Sequence, residues 1–121
     1  MCTIKVYETS RGDEPVYDFI ENLDIKPRNK VNKGIKRLQD HGIQQITKDG
    51  KCEKFKGRKD VKSLYELIIN YNGMWYRIFF TTINNSYWLL HAFKKKTNET
   101  PKKELDLAIF RYKELIIKLK K

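Results

Sequence analysis

The chain has 121 residues, a mass of 14.5 kDa and 26 Lys+Arg against 15 Asp+Glu, giving a formal charge of +11 and a pI near 9.7. Hydrophobic residues make up 40% and aromatic residues 12%, enough for one core, so wholesale disorder is excluded. The longest apolar runs, such as Leu67-Ile68-Ile69, fall far short of the ~20 residues that span a bilayer. The start, Met1-Cys2-Thr3-Ile4-Lys5, has no apolar signal core, and Cys2 and Cys52 form no C-x-x-C pair. Residues 1–121 therefore read as one cytoplasmic domain with thiols kept reduced and no membrane contact.

Residues Thr3–Tyr7 alternate, with Ile4 and Val6 on one side, and predict a short first strand. Pro15 follows Asp13 and Glu14 as a helix start, and Val16, Phe19, Ile20 and Leu23 form one apolar face. Pro27 opens a second helix with Val31, Ile35 and Leu38 inward, expected to stop near Gly42. Its outer face carries Arg28, Lys30, Lys33, Lys36 and Arg37. Residues 43–62 read as loop, with an optional short strand near Cys52–Phe55. Three strands follow: Leu64–Asn70, Met74–Ile83 and Ser86–Phe93, separated by Asn72-Gly73 and Asn84-Asn85 turns. They imply an antiparallel meander without parallel crossovers. Thr100 as cap and Pro101 at the first helical position open a last helix, with Leu105, Ala108, Ile109, Tyr112, Ile116 and Leu119 on one face. The string is β-α-α-(β)-β-β-β-α, an α+β fold with helices on one face of the sheet.

The charge is unevenly spread. Residues 1–25 carry a net −4, residues 26–62 a net +9 and residues 94–121 a net +6. Residues 63–93 hold one acid, Glu66, and one base, Arg77. Two basic blocks flanking a nearly uncharged one favour a polyanionic partner, because each neutralised phosphate releases counterions. No metal constellation, P-loop, dinucleotide fingerprint or nucleophile elbow is present, so no cofactor or metal is expected.

Arg77 is the one cation of an apolar meander. A two-residue turn at Asn72-Gly73 places it opposite Ile68, with Glu66 diagonal on the same face, where the two can pair. The alternative is a guanidinium gripping a phosphate on an open face. His91 closes the third strand. A two-residue second turn puts it on the face opposite Arg77, a three-residue turn on the same face. Lys94-Lys95-Lys96 is either a solvated run or the wall of a phosphate groove. The same holds for Lys54, Lys56, Arg58, Lys59 and Lys62, with Phe55 available for base stacking.

Several segments resemble one family in order and spacing. They are Leu64-Tyr65-Glu66-Leu67, Trp75-Tyr76-Arg77-Ile78-Phe79-Phe80, Leu89-Leu90-His91-Ala92-Phe93-Lys94-Lys95-Lys96-Thr97 and Thr100-Pro101-Lys102-Lys103-Glu104-Leu105, with Ala108 and Arg111. The family is the phage-derived HigB-like branch of the RelE/ParE toxins. Glu14-Pro15-Val16-Tyr17-Asp18-Phe19 also fits its start. The resemblance implies a RelE-like α+β fold, an antiparallel sheet with two N-terminal helices and one C-terminal helix. It further implies the toxin of a two-gene toxin–antitoxin module, cutting mRNA without metal on the translating ribosome. Arg77, His91, Lys94 and Lys95 match its catalytic positions, and Lys54, Lys56, Arg58, Lys59 and Lys96 would hold RNA. Ala92 replaces the usual glycine, Ile68 stands where a basic residue is usual, and Glu66 where RelE has lysine.

Two other readings stand beside this one. One is a non-hydrolytic ParE-like toxin that inhibits a topoisomerase, and the other a phage-encoded RNA-binding regulator that does not cut. The partners implied are a HigA-like helix-turn-helix antitoxin, mRNA and the ribosome. An acidic antitoxin segment would meet the helix from Arg28 to Arg37 or the loop Lys54–Lys62.

Overall fold

The computed structural model describes residues 2–120; Met1 and Lys121, the two ends of the range read as one domain, lie outside the described residues. The elements run β1 (Thr3–Val6), α1 (Pro15–Glu21), α2 (Ile25–Lys48), β2 (Cys52–Lys54), β3 (Leu64–Tyr71), β4 (Met74–Ile83), β5 (Ser86–Lys95) and α3 (Lys102–Leu119). The strands form one five-stranded sheet in the order β1-β5-β4-β3-β2.

The meander is antiparallel as expected, but the sheet is mixed. β1 lies parallel to β5, with Ile4 opposite Tyr87 and Val6 opposite Leu89. Short turns exclude parallel crossovers between β3, β4 and β5. The expectation of no parallel crossover fails for β1, whose link to β5 passes through both N-terminal helices and the rest of the sheet.

Both hairpins use two-residue turns. Asn72 and Gly73 have φ of 54° and 78°, and Asn84 and Asn85 have 49° and 62°, the left-handed pair that a tight β-hairpin requires. The β3–β4 register sets Arg77 opposite Ile68 and Glu66 opposite Phe79. The β4–β5 register slips once: Phe80 faces Leu89 while Phe79 faces His91. Leu90 is thus an extra residue on β5, a bulge that reverses the alternation beyond it. A two-residue turn alone would send His91 to the face opposite Arg77. The bulge returns it to the same one.

The helices cover both faces of the sheet, not one. Tyr76, Ile78 and Phe80 of β4 pack with Val16 and Ile20 of α1 and Val31 and Leu38 of α2. Phe79 of the same strand packs with Ala108, Ile109, Tyr112 and Leu115 of α3. A strand buried on both sides needs apolar residues at consecutive positions, and Ile78-Phe79-Phe80 supplies them.

The second helix breaks at Gly42 (φ 84°, ψ 165°) as expected and then resumes to Lys48, burying Ile46. The stretch 43–48, read as loop, is helical because Ile43 and Ile46 reach the same apolar cluster as Leu38. Not all of the basic outer face is free. Arg28 donates from Nη2 to the carbonyls of Glu21 and Leu23 at 3.3 and 3.0 Å, satisfying groups left open where α1 ends. Lys36 pairs with Asp40. Lys30, Lys33 and Arg37 remain.

Gly34 sits mid-helix, where glycine costs about 1 kcal/mol relative to alanine. A Cβ there would stand 2.9 Å from Ile69 Cγ1, so its absence lets α2 approach β3 closely. Gly34→Val is expected to lower stability by about 1–3 kcal/mol through overpacking, read as a reduced urea midpoint at unchanged slope.

Candidate functional site

The face beneath α3 holds the buried polar residues Glu66, Arg77, Thr81 and His91. Arg77 Nη1 lies 3.1 Å from Glu66 Oε2, with the two side chains only 5% and 11% exposed. Arg77 also donates to the side-chain oxygen of Asn98, and its guanidinium lies 5.8 Å from the Trp75 ring. Burial of either charge alone would be costly, so each makes the other tolerable. The sheet face expected to be open is therefore roofed at Arg77, and the diagonal pair is formed.

Thr100 does not cap the last helix with its side chain. Its hydroxyl donates to Glu66 Oε2 at 2.7 Å, while Pro101 occupies the cap position and α3 begins at Lys102. The segment that starts α3 is thus anchored to the buried carboxylate.

His91 is 9% exposed and bonded at both nitrogens. Arg111 Nη1 lies 3.2 Å from Nδ1, and because arginine only donates, Nδ1 is the acceptor. The proton then sits on Nε2 and is donated to Glu104 Oε1 at 2.7 Å. Burial lowers the histidine pKa; the Glu104 bond opposes this and the Arg111 charge adds to it. Arg111 also donates to the Leu90 carbonyl on the bulge and lies 5.4 Å from the Tyr7 ring. Tyr7 in turn donates to Glu114, and burial followed by that bond pushes its pKa up to about 12. The polar groups under α3 thus form two clusters, one around Glu66 and one around His91.

The remaining candidate residues separate. Lys95, opposite Trp75, shares Arg77's face, whereas Lys94, opposite Tyr76, is on the other. Lys96 is exposed just past β5. Arg58 is held by Asp60, which also binds Lys113 of α3, tying the loop to the helix. Lys59 is exposed. Lys54, with its ammonium 5.9 Å from the Tyr65 ring, and Lys56 belong to a groove of about 190 Å³. Glu53, Phe55, Glu66, Phe79, Thr100 and Leu105 complete its lining. Glu53 and Glu66 are direct cross-strand partners there. Among the described residues no cluster of three potential metal ligands occurs, and no helix is long and apolar enough to cross a membrane.

Sequence reasoning missed Glu53, Asn98, Glu104 and Glu114. Only Glu66 carried a local signal, as the one acid of an apolar block. The others reach the site through tertiary packing of segments that look like solvated surface.

A mixed five-stranded sheet with two helices on one face and a C-terminal helix closing the other over a buried acid–arginine pair is a RelE-like α+β fold. Residues 18–113 match the family described as Phage derived protein Gp49-like (DUF891), and the chain belongs to that family. The family is toxin-like, of the RelE/HigB type. No curated protein matches the chain.

Thr100→Val removes a hydrogen bond to a buried carboxylate and is expected to cost about 1.5–3 kcal/mol, measured by urea unfolding. For His91 the unfolded pKa is about 6.5, and the folded value is lower. Between the two, the unfolded chain binds more protons, so stability falls as pH drops below about 6.5 and is fully present above it. Unfolding free energies measured between about pH 7.5 and 5.5 should show this slope, and His91→Gln should flatten it.

Proposed function

We propose that the protein is the toxin of a two-gene toxin–antitoxin module and a metal-independent endoribonuclease acting on translated mRNA at the ribosome. The observation that carries this reading is the groove in which Glu53 and Glu66 stand side by side with Lys54 and Lys56 at the rim. Cleavage needs a base, an acid and a countercharge. The RNA 2′-oxygen attacks the adjacent phosphorus and gives its proton to a carboxylate. Arg77 and Thr100 both engage Glu66 Oε2, which leaves Oε1 to accept that proton. The bond from phosphorus to the 5′-oxygen breaks, and a lysine ammonium protonates the leaving oxygen. Lys56 offsets the charge of the phosphorane, while Lys54, its ammonium over the Tyr65 ring, extends the positive surface at the strand edge. Arg77 orients Glu66, and His91 holds α3 in place through Glu104 and Arg111. Lys95, Lys96, Arg58 and Lys59 extend a positive surface for the RNA strand.

A second reading rests on one specific feature. Arg77 and His91, expected to meet substrate, are buried and engaged by protein partners. A ParE-like inhibitor of a topoisomerase, or a regulator that binds RNA without cutting, requires neither to be free.

Inducible expression without any neighbouring antitoxin gene separates these readings. Cleavage predicts growth arrest with breaks in translated mRNA. Glu66→Gln keeps an oxygen for Arg77 and should remain folded by circular dichroism while losing at least about 10²-fold in cleavage. Arrest without mRNA breaks, unchanged in Glu66→Gln, favours the topoisomerase reading. RNA binding without arrest favours the regulator.

A further inference from the structure

The edge of the sheet farthest from β2 belongs to β1. β1 pairs with β5 alone: Thr3 donates its N–H to the Asn85 carbonyl at 3.0 Å, and Tyr7 to that of Leu89 at 2.8 Å. Backbone groups alternate in direction along a strand, so those of Ile4 and Val6 point away from the sheet. Among the described residues no strand covers them. An edge of this kind is a template for another strand.

The charge along this edge is balanced, in a chain that carries +11. A cleft of about 550 Å³ runs beside it, with Val6, Trp88 and Leu115 as apolar walls. Leu119, 45% exposed, adds the end of α3 to the lining. The charged groups are Lys5 and Lys118 against Glu8 and Glu14, two of each sign. Among the described residues none of the four forms a salt bridge. A nucleic acid or a strongly acidic segment gains nothing from a balanced set, and residues 1–25, with a net −4, repel both. A patch with equal numbers of both signs is complementary to itself. The occupant that meets it with paired charges and a matching strand edge is a second copy of the chain.

We propose that two copies of the chain pair through β1, strand against antiparallel strand about a two-fold axis, and so join their sheets into one. The outward residues Ile4 and Val6 set the register. Pairing centred on Lys5 would oppose Lys5 to itself, and like charges directly opposite destabilise a sheet. Pairing centred on Val6 sets Val6 against Val6 and Ile4 against Glu8 of the second copy, which brings each Glu8 beside the other chain's Lys5. The β2 edge does not suit its own copy, because Lys51, Lys54 and Lys56 surround it. The proposal goes beyond the toxin reading and does not rest on RNA cleavage. The Glu66 groove lies at the β2 edge, across the sheet from β1, and stays open in the dimer.

The test is sedimentation velocity of the full chain, with nitrogen-15 amide spectra over the same concentrations. The expected result is a monomer–dimer equilibrium with a dissociation constant on the order of 0.1 mM or tighter. Amide shifts that depend on concentration should map to Ile4, Val6 and Leu119. Because both copies carry +11, raising salt from about 0.05 to about 0.3 M should strengthen the dimer, the opposite of an acidic or RNA partner. Val6→Pro removes an outward donor, leaves the β5 pairing intact and should weaken the dimer at least about tenfold. Glu8→Lys should weaken it about fivefold or more, and adding Lys5→Glu, which returns the net charge to +11, should restore it. A chain that stays monomeric up to about 1 mM overturns the proposal. So does a Val6→Pro chain that is folded by its amide spectrum and associates like the parent. Species that grow beyond two copies overturn it as well, since they require head-to-tail pairing.

Discussion

A carboxylate and a guanidinium share one buried face of the sheet, and the arrangement around them follows from keeping both charges satisfied. Glu66 and Arg77 are diagonal neighbours only in the register that the Asn72-Gly73 turn enforces. A slip of one residue would place them on different faces and leave two buried charges without partners. Thr100 then completes Glu66, and Asn98 completes Arg77. The segment leading into α3 is thereby fixed over the pair before the helix begins.

The bulge at Leu90 gives the second cluster. It turns His91 towards α3, where Glu104 and Arg111 bond its two nitrogens, and its own carbonyl accepts from Arg111. Helix α3 therefore sits on the sheet through two polar anchors and an apolar stretch of Ala108, Ile109, Tyr112 and Leu115. The groove with Glu53, Glu66, Lys54 and Lys56 is the space left between this helix and the β2 edge. The other face has a simpler task. Two helices cover an apolar surface, with Gly34 allowing the close approach, and the surplus cations of α2 are left outside.

Much of this was legible in the sequence, and the exceptions have physical reasons. The three meander strands, both turns, both N-terminal helices and the last helix follow from periodicity and turn chemistry. The diagonal pairing of Glu66 with Arg77 follows from counting residues across a two-residue turn. The mixed sheet does not, because pairing of β1 with β5 joins residues far apart in the chain. The bulge at Leu90 carries no local signature in Leu89-Leu90-His91, and one extra residue was enough to change the face of His91. Helices on both faces are foreshadowed by Ile78-Phe79-Phe80, three apolar residues in a row on a central strand. Thr100 looked like a helix cap because threonine before proline commonly is one, whereas the stronger demand of a buried carboxylate claims its hydroxyl.

The most direct test of this account is a double-mutant cycle on the central pair. Glu66→Gln, Arg77→Met and the double variant are compared with the parent by urea unfolding. If the pair organises this face, the two losses are strongly non-additive, with a coupling energy of about 2–3 kcal/mol. Hydrogen exchange in the first turns of α3 should also quicken in each single variant. Additive losses, or α3 amides as protected as in the parent, would contradict the claim that this pair holds the helix and the groove in place.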